Sequence, residues 1–134
     1  MIADDQDLER FMRGELDATT FPHREHVRMG FEMLRRYDFA ATAFEYSKAL
    51  RMMTAKIGKP QVFHQTVTIA FLALIAERIE SGNGGDFEAF AGANPDLFDP
   101  LVLRRWYSAE QLGTQAARRT FILPEAATMH RPTR

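Results

Sequence analysis

Apolar residues recur along this chain at spacings of three and four, the period of helices that bury one face. The clearest stripe is Phe39, Ala43, Tyr46, Leu50, Met53 and Ile57. Asp38 precedes it as a candidate N-cap, and Gly58-Lys59-Pro60 ends it, because glycine tolerates a left-handed terminus and proline cannot continue the helix. Upstream, residues 3 to 15 can form a helix capped by Asp4 or Asp5, with Leu8, Phe11 and Met12 on its apolar side. Thr19, Thr20 and then Pro22 in the first turn announce a second helix reaching about Tyr37. A fourth helix, about 63–80, is apolar on nearly every side between Val67 and Ile75, with charge returning at Glu77 and Arg78. It should be the buried central one.

The pattern then shortens. Ser81-Gly82-Asn83-Gly84-Gly85-Asp86 reads as a loop ending in an N-cap. Asn94-Pro95 and Asp99-Pro100 each pair a cap with proline in the first helical position, and Ser108 with Gln111 forms a capping box. Residues 108–119 should be one last helix weakened by Gly113, followed by an extended segment or short strand at 120–124. The expected fold is therefore all-α: a single-domain helical bundle over residues 1–124, with a mobile end at 1–3. The short C-terminal helices pack over the central helix, and 125–134 is a polar tail.

Composition narrows the class. The apolar content of 46% with 11 Phe and 7 Met supports a packed core, and the absence of cysteine excludes disulfides, thiolate metal sites and cysteine nucleophiles. The acidic N-terminus lacks a signal-peptide pattern, and the apolar run at 67–76 is too short to cross a bilayer, so a cytoplasmic protein without a membrane partner is expected. A formal charge of −1 gives no electrostatic reason to bind nucleic acid. The acidic residues in 1–20 and the arginines in 101–134 are expected to pair within the chain. A homo-oligomer is compatible with all of this.

Charge also orients the second helix. Arg24, Glu25, Arg28, Glu32, Arg35 and Arg36 define its wet face, which turns His23, His26, Val27, Gly30, Leu34 and Tyr37 toward the core. Short connections make the second, third and fourth helices run up, down and up, so the second and fourth start at the same end. His64 should then meet His23 and His26, with Lys56 and Met53 nearby. Three inward imidazoles can hold one divalent transition metal such as Zn or Fe, with a coordination position left for water or substrate. Without metal, a histidine near a helix N-terminus is disfavoured as a cation and suits a neutral base or hydrogen-bonding role. Histidines that only tie helix ends together are the third reading, and spacing alone does not choose among the three. His130, in the tail, reads as a solvated histidine.

Tyr46 and Thr68 are candidate ligand contacts on inward positions, and Tyr37 also falls inward. Arg105 and Trp106 are candidate contacts to an anionic or planar ligand, in a segment 106–119 that can gate the pocket. The alternative for them is structural, with Trp106 covering core while the arginines pair with Asp96, Asp99 or the acidic N-terminus. Met29, Met33, Met52 and Met53 read as core filler before pocket lining. The expected function is a small-molecule enzyme or metalloprotein with a three-histidine pocket, by proton transfer or metal-assisted chemistry. Its competitor is a non-catalytic interaction or regulatory module with structural histidines.

The F-x-H-x-x-H segment at 21–26 and the H-x-T-x-T segment at 64–68, with "FAGANPDLFDP" and "RRWYSAEQLGTQAARRTFILP", resemble a family of small, functionally uncharacterised bacterial helical proteins. The resemblance covers most of residues 20–124 and implies one structural unit, without implying a reaction. The chain is also similar in kind to DinB-like bundles, which hold a metal with three histidines. Those use a His-x-x-x-His pair on a later helix, a pattern this sequence lacks.

Overall fold

A computed structural model describes residues 2–125, with side chains described from Asp5 onward. His130 and the rest of the expected tail beyond Glu125 lie outside the described residues, as does Met1. The helices are α1 (Ile2–Met12), α2 (His23–Arg36), α3 (Phe39–Lys56), α4 (Gln65–Glu80), α5 (Phe87–Ala93), α6 (Ala109–Leu112) and α7 (Gln115–Arg119). Single 3-10 turns interrupt the connections at Ala18–Thr20, Pro60–Val62, Pro95–Phe98 and Val102–Arg105. No strand occurs among the described residues, and no described helix is long and apolar enough to cross a membrane.

The ends of α3 follow local chemistry. The Asp38 carboxylate accepts from the Ala41 N–H at 2.8 Å, and Gly58 takes a φ of 74° just past the C-terminus. Asp86 caps α5 in the same way, accepting from Ala89 N–H at 3.0 Å. Other termini differ from expectation. Because α1 begins at Ile2, Asp4 and Asp5 lie inside it rather than capping it. Asp17, not Thr19 or Thr20, caps the turn before α2. The region 108–119 is two helices: Gly113 ends α6, and the Thr114 hydroxyl accepts from Ala117 N–H at 3.1 Å to start α7. Weak propensity at one glycine, next to a good capping residue, splits the segment. Pro100 does not open a helix, since the following 3-10 turn starts only at Val102. Residues 121–125 form neither helix nor strand, and the Thr66 hydroxyl ties them down, donating to the Thr120 carbonyl at 2.7 Å and accepting from Ile122 N–H at 3.1 Å.

Helix α4 packs against α2, α3 and α7, while α1 lies on α2 and α3. Helix α2 therefore feeds two cores. One joins Val27 and Phe31 to Leu74, Ile75, Phe87, Phe90, Leu97, Val102, Leu103 and Tyr107. The other joins Met29 and Met33 to Leu8, Phe11, Tyr46, Ala49, Met53 and Leu72. Three of the four methionines singled out by position are core, whereas Met52 is 42% exposed. Tyr37 and Phe39 also stay exposed at the α2–α3 corner, where the chain reverses before either can reach the core.

Among the described residues, charge pairing departs from the expected link between the chain ends. The acids of α1 meet α2: Asp7 pairs with Arg28 at 3.1 Å and Asp5 with Arg36 at 2.8 Å. Glu32 on α2 is buried and holds Arg36 at 2.8 Å. The expected wet face of α2 is thus partly an internal seam. Farther along, Arg78 grips Asp96 through two bonds of 2.9 and 2.8 Å, and this guanidinium holds the Asp96 carboxyl at a pKa of about 2.

Candidate functional site

Where the two cores meet, the packing leaves a cavity of about 320 Å³. Its walls come from the start of α2 (His23, His26, Val27), the later turns of α3 (Tyr46, Leu50, Thr54) and the first half of α4. The up-down-up course of these helices brings His23, His26 and His64 onto this one cavity, together with Tyr46 and Thr68. Phe63, Phe71, Leu72 and Ile75 supply much of the apolar wall, and Pro100 reaches it from the C-terminal layer. Volume and lining suit a small organic molecule.

The three histidines are not equivalent. His64 is the N-cap of α4, its Nδ1 accepting from Val67 N–H at 3.1 Å. With Nδ1 an acceptor, Nε2 carries the proton and donates to the Leu112 carbonyl on α6 at 2.7 Å. Both ring nitrogens are committed, so His64 fastens the central helix to the C-terminal layer. His23 is engaged at one nitrogen only: Nε2–H donates to the Leu97 carbonyl at 2.9 Å, leaving Nδ1 as the acceptor of the neutral ring. Its ring packs edge-on against Phe71 and lies 6.4 Å from that of His26, centroid to centroid.

His26 is enclosed by Phe21, whose ring centroid is 4.5 Å away, and by the helices behind it. Burial lowers its pKa from 6.5 to about 4, nearby His23 adds to that, and a hydrogen bond to the Phe21 backbone opposes it. The result is a neutral imidazole at physiological pH. Tyr46 donates its hydroxyl to the His26 carbonyl at 2.8 Å, and its complete burial pushes its pKa upward. Thr68 donates to the His64 carbonyl at 2.7 Å and Thr54 to the Leu50 carbonyl at 3.0 Å.

The donor set does not fit a metal. Among the described residues no group of three His, Cys, Asp or Glu is placed to hold one, and His64 has no nitrogen to give. His23 and His26 would remain as two ligands without a carboxylate on the cavity wall.

Other candidates lie elsewhere. Arg105 pairs with Asp96 at 3.1 Å and its guanidinium stands 5.9 Å from the ring of Trp106, which is 40% exposed; neither residue lines the cavity. Lys56 points away, donating to the Gly14 carbonyl at 2.9 Å, and Met53 belongs to the second core. From the proposed gate, the Leu112 carbonyl reaches the site through His64. Sequence reasoning did not single out Thr54, Val62, Phe63 or Pro100 as lining. Only Phe63 carried a usable signal, one residue ahead of His64. No family model matches the chain, and no curated protein or solved structure is detectably similar to it.

Proposed function

We propose that this protein binds a small molecule in the cavity between α2, α3 and α4 and acts on it by proton transfer, with His23 as the base and the neutral His26 ring orienting the ligand through a hydrogen bond. The observation that carries the reading is an apolar cavity with two neighbouring imidazoles on its wall, one of them held neutral by burial. A neutral imidazole in a pocket with few competing waters can accept a proton from a ligand or orient it through a hydrogen bond. His64 holds the wall, and no metal is invoked because the donors do not converge on one.

A fragment screen followed by NMR of the histidine side chains tests this. Ligands should perturb the His23 and His26 ring signals, and Leu50→Trp, which fills the cavity from α3, should abolish the effect. A screen whose hits all map to other surfaces would overturn it.

A further inference from the structure

The hydrogen-bonding character of the cavity wall restricts the ligand further than its shape does. Six polar side chains line the cavity, and each has already given its hydrogen to the protein's own backbone. His23 donates to Leu97, His64 to Leu112, Tyr46 to His26, Thr54 to Leu50 and Thr68 to His64, while His26 bonds to the Phe21 backbone. Three amides on the wall are spent as well. Val62 N–H donates to Lys59, Phe63 N–H to Pro60 and Val67 N–H to His64, and Pro100 has no N–H.

What these side chains retain is lone pairs: the second nitrogens of His23 and His26, and the oxygens of Tyr46, Thr54 and Thr68. No Lys, Arg, Asp or Glu lines the cavity. An anion would find neither a cation nor a free side-chain donor there, and a cation would find no carboxylate; either would be desolvated without compensation.

We infer that the ligand is a neutral molecule with an apolar, ring-sized body that presents an O–H or N–H donor to the wall, such as an alcohol, a phenol or an N–H heterocycle. The inference rests on the proton-transfer reading above and deepens it, because the donated hydrogen is the one a neutral imidazole can take. Carboxylates and phosphates of the same body are excluded.

Three naphthalene probes separate the possibilities at neutral pH: a naphthol, its methyl ether and the matching naphthoate, titrated calorimetrically and by NMR. The naphthol should bind with perturbation of the His23 and His26 rings, the ether at least about tenfold more weakly, and the naphthoate more weakly still. His23→Phe and His26→Phe should narrow the gap between naphthol and ether. The wild-type comparison alone decides the point if either variant fails to fold. Equal binding of ether and naphthol, or naphthoate binding as tightly as naphthol, overturns the donor preference and leaves the pocket reading standing. Absence of any pocket perturbation by all three overturns both.

Discussion

Gly30 and His26 lie one turn apart on the same face of α2, yet their surroundings are opposite. At Gly30 a Cβ would stand 3.1 Å from both Ile75 Cδ1 and Leu72 Cδ2, so α2 and α4 are tightly packed there and these side-chain ends would have to give by a few tenths of an ångström. At His26 the same pair of helices, with Ile75 and Leu72 again on the wall, borders a cavity of about 320 Å³. The opening is therefore bounded by close packing and is not general slackness in the bundle. Aliphatic side-chain ends fill the space beside the missing Cβ at one level, and imidazole, phenol and benzyl rings border the opening at the next.

Substitutions on either side of that boundary should diverge most. Gly30→Val puts three carbons against Ile75 and Leu72 at tight contact and should cost about 1–3 kcal/mol in urea denaturation. Leu50→Phe, which points spare volume at the cavity, should stay within about 1 kcal/mol while weakening ligand binding. Equal costs would erase the contrast.

Acid should act on the open side. Because burial lowers His26 to about 4 while the unfolded ring titrates near 6.5, the unfolded chain binds the extra proton between those values. Stability from this group is complete above pH 6.5 and falls on acidification, by roughly 3 kcal/mol at pH 4. His26→Phe should flatten that part of the pH profile; an unchanged slope would place its origin elsewhere.

The smallest effect separates the two jobs of His64. His64→Ala should lose about 2 kcal/mol, from the cap of α4 and the tie to Leu112 together. His64→Asn can still cap and should lose about half as much. If both variants cost the same, capping is not part of what His64 does.

Much of this was legible before any coordinates. The stripe from Phe39 to Ile57, the Asp38 cap and the Gly58 terminus depend on neighbours a few residues away, and the residue types state them. That His23, His26 and His64 border one cavity agrees with helix phase and short connections, but only the rings of His23 and His26 stand beside each other. Their inequality was not legible. It depends on carbonyls 74 and 48 residues away, at Leu97 and Leu112, and a carbonyl carries no mark in the sequence. Arg105 and Trp106 were drawn to the site by residue type, whereas the Arg105 ion pair with Asp96 holds that segment at another surface.

By itself, then, the sequence determined an all-α bundle and the phases of its main helices, because periodicity and capping are short-range properties of the chain. Only the tertiary structure decided which nitrogens are spent and which remain, that Glu32 is buried, and that a cavity opens one turn from Gly30. Those outcomes are set by distances between segments remote in sequence, where a shift of one ångström makes or removes a hydrogen bond.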